Sequence, residues 1–403
     1  MNKMNIGILR EGKIPVDRRA PLTPFQANAF QKAFPQVKIY CQSSPFRAYT
    51  DEEYKDAGIE VVESIDHCDI VLGVKEVPAA ELIPGKTFLF FSHTFKKQVY
   101  NRVLLQKILS KKIRLIDYEV LKDVNGKRII GFGRYAGIVG AYNGILAYGK
   151  RYQLFDLKRA KDCFNLEELK GEFVKVALPP IKIAVTGGGR VGKGALEVLT
   201  GMRIKQVSKE AFMHEAFDEP VFCHLRSSDY YERRDGAPFD QKNFYKNPLP
   251  YNSTFNTYAR KTDLLIAAAY WNPNAGPLFT RMDMEDKFNI KVIADITCDI
   301  DGSIPSTKKP ATIEEPFYDY NPANDCVYPA FSDENHVNVM AIDNLPCELP
   351  RDASEEFGRE LINQVLPHLI HNEKHPIIEN ATITKDGKLT PDFSYLQDYV
   401  EGR

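Results

Sequence analysis

Short apolar runs alternate with amphipathic stretches through most of the chain, and their two periods predict its elements. Runs rich in Val, Ile, Leu and Phe at residues 5–10, 37–41, 70–74, 87–91 and 113–117 read as strands. Helical spacing fills the gaps at 25–33, 51–57 and 96–109, the first of these after a charged, proline-bearing loop at 12–24. Alternation of this kind is the signature of a parallel α/β sheet. Asn125-Gly126 predicts a hairpin pairing 118–121 with 127–132, and 135–153, small and apolar along one face, predicts a helix linking two domains. A charged linker with helical parts covers 154–178. The alternation restarts with a strand at 181–185, a helix pattern opening at 195–199 and a second strand at 204–207. Residues 214–257 show no clean period and read as a polar, aromatic insertion. Strands return at 263–270 and 290–296, a proline-rich section runs over 304–329, and the last helix covers 355–370 with Ser354 as its N-cap.

Composition narrows the class. With 403 residues the chain has room for two domains, each with its own core. Its 53 basic and 54 acidic side chains leave a net charge of −1, so no global field draws in nucleic acid or anionic lipid, and a small-molecule ligand is favoured. The 7 cysteines are scattered, odd in number and without a CxxC pair, which fits reduced thiols better than disulfides or zinc. The 8 histidines show no ligand spacing, so no metal is expected. MNKMNIGILREG lacks the apolar core of a signal peptide and no apolar run approaches membrane-spanning length; the expected protein is soluble and cytoplasmic.

One stretch carries the clearest chemistry. In IKIAVTGGGRVGKGA, β-formers lead into Gly187-x-Gly189-Arg190-Val191-Gly192, and an apolar helix pattern follows. Strand, tight turn and helix are the context in which such glycines cradle a dinucleotide's pyrophosphate at a helix N-terminus. An NAD site usually carries Asp or Glu at the end of the second strand. Here 204–207 leads to Ser208-Lys209-Glu210, and Lys205, Lys209 and Arg226 are near in sequence. The cations favour NADP, while Glu210 keeps NAD open.

Four motifs at strand ends or in loops add candidates, each with a plainer reading. Arg18 and Arg19 in RRAPLTP could fork onto a carboxylate, or be solvated surface cations. Lys75, after an apolar strand and before Glu76, suits a buried acid/base, although most strand-end lysines are simply solvated. His93 in FFSHT closes another strand and suits proton transfer, against a satisfied core histidine. Glu119, with Arg128 and Phe132 across the expected hairpin, is the fourth, or else a cross-strand pair. Together they suggest reduction of an imine or ketone on a substrate that carries carboxylates.

These motifs, with VLGVKEVP, RLIDYE, GFGRYAG, ADITCDIDGSI and IDNLPCELPRDAS, resemble the alanine dehydrogenase and transhydrogenase superfamily over nearly the whole chain. Within it the sequence is most similar to the lysine-2-oxoglutarate reductase (saccharopine dehydrogenase, lysine-forming) branch, above all to the reductase half of the bifunctional lysine-degrading enzymes. With no second dehydrogenase half after Arg403, the resemblance implies a free-standing reductase. It implies an α/β fold of two Rossmann-like domains with parallel sheets and a cleft between them. The substrate domain is placed at 1–135 plus 336–403, and the dinucleotide-binding domain, with its insertion at 214–257, at 136–335.

The resemblance also implies roles: Lys75 and His93 as the acid/base pair, Arg19 and Arg128 as carboxylate arginines, Glu119 as a tuning carboxylate. Glu76 adjoins the lysine, Phe132 lines the substrate pocket, and Asp299, second acid of ADITCD, stands beside the nicotinamide. The implied substrates are lysine, 2-oxoglutarate and saccharopine, interconverted by imine formation and hydride transfer, with no nucleic acid and no membrane, and a homo-oligomer left open. The alternatives are an alanine dehydrogenase-like enzyme of the same superfamily and a non-catalytic NAD(P)-binding regulator.

Overall fold

A computed structural model describes residues 3–372 and 374–403. Its strands are β1 (Met4–Ile8), β2 (Val37–Gln42), β3 (Glu60–Val62), β4 (Ile70–Leu72), β5 (Thr87–Phe90), β6 (Arg114–Asp117), β7 (Lys182–Thr186), β8 (Lys205–Gln206) and β9 (Val221–Leu225). They continue as β10 (Tyr231–Arg233), β11 (Tyr251–Ser253), β12 (Leu264–Ala267), β13 (Val292–Asp295), β14 (Tyr318–Asn321), β15 (Cys326–Tyr328), β16 (Val337–Met340), β17 (Thr382–Lys385) and β18 (Lys388–Leu389). The fold is two-domain α/β. Contacts divide it into Met1–Phe132 with Pro350–Arg403, and Gly133–Leu349.

In the first unit the sheet runs β18-β17-β6-β5-β4-β1-β2-β3, parallel from β3 to β6. The parallel sheet expected from the pattern acquires an antiparallel edge, because β17 from the C-terminal segment pairs antiparallel with β6 and β18 with β17. Chain order reverses between β1 and β4, and the carboxyl ends at such a switch point are where open α/β sheets bind ligands. Apolar residues of β1, β2 and β4 pack with Phe357, Leu361 and Leu366 of the C-terminal helices, which is why that segment belongs to this core.

The sequence reading placed Ser354 at a helix N-cap; the helix instead starts earlier, as Pro350–Gln364. Ser354 is buried within it, donating to Pro350 O and accepting from Ala20 N, so its hydroxyl ties helix to loop rather than opening the helix. The expected hairpin forms only its turn. Tyr118–Val120 is a short 3-10 turn, and one isolated bridge joins Lys122 to Arg128.

The second unit's sheet runs β15-β14-β16-β13-β12-β7-β9-β8. It is parallel from β8 to β16, with β14 and β15 antiparallel at the edge. Residues 336–349, expected in the first domain, lie here because β16 pairs with β13 and β14. The helix expected to link domains, Gly133–Arg151, is nearly all buried and crosses Arg190–Gly201 at backbone contact: a Cβ at Gly137 would stand 1.9 Å from Val191 O. The expected insertion at 214–257 breaks up. Val221–Leu225 is a core strand, and the added element is the β10–β11 hairpin carrying a short helix, Gln241–Lys246.

Candidate active site

In the first unit, six candidate acid/base and charged side chains follow the carboxyl ends of parallel strands. Glu11 and Lys13 follow β1, Lys75 and Glu76 follow β4, His93 follows β5 and Glu119 follows β6. The first two were missed from sequence, where they looked like part of a charged loop. The carboxylate of Glu11 accepts from Val74 N at 2.6 Å and Lys75 N at 2.8 Å, fixing the strand end that carries the lysine. Burial, reinforced by the negative charge of Asp17, pushes the Glu11 pKa up to about 8 against those two bonds. Among the described residues the Lys75 ammonium makes no ion pair, and the side chain is half-buried.

His93 sits in the left-handed region (φ 53°), turning the chain after β5. That turn aims its ring between two carboxylates. Nδ1 lies 2.5 Å from Glu76 Oε1 and Nε2 lies 3.7 Å from Glu119 Oε2. A carboxylate only accepts, so Nδ1 donates to Glu76. At 3.7 Å Glu119 is too far for a hydrogen bond, which leaves Nε2 open to a ligand.

Cations flank the carboxylates in turn: Lys13 Nζ is 2.5 Å from Glu76, and Lys96 Nζ is 2.9 Å and Arg128 Nη1 3.4 Å from Glu119. Desolvation raises the Glu76 pKa, but the bonds from His93 and Lys13 outweigh it and bring it down to about 2. The structure thus brings Glu76, His93, Glu119 and Arg128 together, and adds Lys13 and Lys96.

The arginines differ. Arg128 is exposed and lies over the Phe91 ring at 5.5 Å. Arg19 is buried, 4.0 Å over the Phe132 ring, with its Nε and Nη2 edge already forked onto Asp17 at 3.0 and 2.5 Å. Phe132 in turn stacks on Phe357 at 4.8 Å, so the C-terminal helix floors this wall. Arg18 points to solvent.

In the second unit the glycine turn joins β7 to the helix Arg190–Gly201, placing Arg190 and Val191 in its first turn. Gly187 has φ 95°, and a Cβ at Gly192 would meet Gly187 O at 1.9 Å, so both are demanded by the turn itself. Gly188 and Gly189 face open space, and Gly189 caps the helix with no side chain. Open backbone at a helix N-terminus fits a pyrophosphate. Asp299 is exposed in the turn after β13, its carbonyl accepting from Gly302 N at 2.9 Å; the neighbouring acid Asp295 is buried on Thr297 and Thr307 hydroxyls.

The strand end beside β7 is not the one expected from sequence. The strand beside β7 is β9, while 204–207, expected to be that neighbour, supplies only the edge strand β8. Lys205 and Glu210 are therefore on or after an edge, and the residue that follows the inner strand is Arg226, exposed and without an ion pair among the described residues. The hairpin element packs beside this strand end. A cavity of ≈ 20 Å³ is lined by Thr186, Ser227, Tyr231, Phe244 and Trp271. No group of His, Cys, Asp or Glu among the described residues could hold a metal ion, and no helix is long and apolar enough to cross a membrane.

The sequence matches the alanine dehydrogenase/PNT N-terminal domain over residues 7–139 and its C-terminal domain over 171–392. It is 30% identical to the mitochondrial alpha-aminoadipic semialdehyde synthase of Mus musculus, over 100% of this chain and 48% of that protein. The chain thus spans about half the length of that relative. The saccharopine dehydrogenase (NAD(+), L-lysine-forming) of Yarrowia lipolytica is 24% identical over 89% of this chain and 90% of its own. Among solved structures, an L-alanine dehydrogenase superposes with a TM-score of 0.66 at 16% identity, covering 99% of each chain. A transhydrogenase from Sinorhizobium meliloti gives 0.61 at 13%, covering 96% of this chain and 98% of that one. At these identities the likeness is one of fold.

Proposed function

The chain belongs to the alanine dehydrogenase/PNT family, and from that premise we propose that it interconverts lysine plus 2-oxoglutarate and saccharopine. What carries this reading is the histidine held between Glu76 and Glu119, with Arg128 and Lys96 paired to Glu119 and Lys13 paired to Glu76. Proton-transfer groups flanked by cations suit condensation of an amine with a keto diacid. The names of the relatives supply the identity of the amine.

In this proposal Arg128 and Arg19 orient substrate carboxylates. Nε2 of His93 and the amine of Lys75 divide the proton transfers as the ε-amine adds to the ketone and water leaves. Glu76 holds the ring in the orientation that leaves Nε2 available. A bound nicotinamide dinucleotide supplies the hydride that reduces the imine. The glycine turn and Asp299 are the residues proposed to hold it.

We read that dinucleotide as NADP. A cation at the end of the inner strand meets a 2′-phosphate, where an acid would meet a free ribose hydroxyl. Arg226 occupies that place. The Yarrowia lipolytica relative is named for NAD(+), so family membership leaves the choice to such local residues.

The test is product identity. Incubated with lysine, 2-oxoglutarate and NADPH, the protein should yield saccharopine by mass spectrometry, and pyruvate with ammonia should yield no alanine. The reverse pattern would make it an alanine dehydrogenase-like enzyme.

A further inference from the structure

We propose that Lys209 sets the nucleotide preference of this chain by holding Asp229 off the ribose, an inference that rests on the NADP reading above. The stretch after β9 carries two opposed readers three residues apart, the cation Arg226 and the anion Asp229. An acid there would ordinarily accept from a ribose hydroxyl and repel a 2′-phosphate. Asp229 is already committed on both oxygens. Oδ1 accepts from Lys209 Nζ at 2.9 Å and Oδ2 from Arg226 N at 2.7 Å.

The two partners do different things. The Arg226 backbone bond turns the carboxylate back onto its own chain, and Lys209 neutralises it. Lys209 comes from a separate element, the short helix Lys209–His214 that follows the edge strand β8. The chain reaches that edge before returning to β9, which is how a lysine earlier in sequence comes to face an acid at the end of the inner strand. The Lys209 side chain is half exposed, at 49%, against 16% for Asp229. Exposure makes the pair weak as a contribution to stability. Its effect is on which charge the nucleotide meets: with Lys209 in place Asp229 is paired, while among the described residues Arg226 makes no ion pair. Glu210, the acid adjoining Lys209, is exposed in the first turn of its helix.

Lys209 is thus a positioning residue, and its test is direct binding, measured by isothermal titration of the full chain with adenosine 2′,5′-bisphosphate and with AMP. The wild type is expected to prefer the bisphosphate. Lys209→Met should narrow that preference about 10-fold, the worth of one charge-assisted hydrogen bond, through tighter binding of AMP. Adding Asp229→Asn to Lys209→Met should abolish the gain in AMP binding. An unchanged ratio in Lys209→Met would overturn the proposal and leave the NADP reading standing. Narrowing by loss of the bisphosphate alone would also overturn it, making Lys209 a direct phosphate ligand. A wild type with no preference for the bisphosphate would sink the NADP reading, and this inference with it.

Discussion

Nδ1 of His93 and Oε1 of Glu76 stand 2.5 Å apart, joining the ends of two adjacent strands, β5 and β4. The carboxylate that orients the ring is itself held by Lys13, and together the two partners bring its pKa down to about 2. A depressed carboxyl stabilises the fold above its ordinary pKa of 4.5, and that contribution fades as pH falls toward about 2. Glu76→Gln should therefore flatten the acid side of the stability curve. Urea midpoints measured from neutral pH downward check this, and parallel curves for wild type and variant would contradict it.

Lys75→Met and His93→Gln should each slow turnover about 10²-fold, the range expected for a lost general acid or base. Substrate affinity should change less. Initial rates with each substrate varied give the split. Near-normal kcat in both variants would remove these residues from the chemistry.

Glu11 predicts the opposite pH trend from Glu76. Its pKa is raised from 4.5 to about 8, so the folded state holds a proton that the unfolded chain releases, and stability falls as pH rises between those values. Glu11→Gln removes that contribution. The stability lost by the wild type between mildly acidic and mildly alkaline buffer should exceed the loss in the variant, as read from urea midpoints. Equal losses would count against a buried, protonatable Glu11.

The glycine turn separates fold from binding. Gly189→Ala adds a methyl group where nothing lies within 4 Å, at φ −81°, so Tm should hold. Binding of the dinucleotide, followed by its fluorescence, should weaken about 10-fold or more if backbone must approach the pyrophosphate there. Gly192→Ala drives a Cβ into Gly187 O at 1.9 Å and should lower Tm outright.

In the first sheet β1, β2, β4, β5 and β6 were legible because parallel strands buried on both faces are continuous apolar runs, while β3, β17 and β18 were not. Gly187 to Gly192 and the strand-end positions of Lys75 and His93 followed from the same signal. What escaped depends on pairing that local sequence does not encode. β9, Val221–Leu225, is five residues inside a polar stretch, and only its place between β7 and β8 puts Arg226 at the end of the strand beside β7. Glu11 and Lys13 acquired their positions because β1 and β4, far apart in sequence, are neighbours at the reversal of strand order. The helix Gly133–Arg151 was expected from its small, apolar face, but its close crossing with Arg190–Gly201 at Gly137 was not, because small residues suit a linker as well as a tight helix crossing.

The most direct measurement is the lysine dependence of NADPH oxidation in the presence of 2-oxoglutarate. The account predicts oxidation that saturates with lysine, is not supported by ammonia, and is lost together in Lys75→Met and His93→Gln. Oxidation driven by ammonia with a small keto acid, or none with either amine, would contradict it.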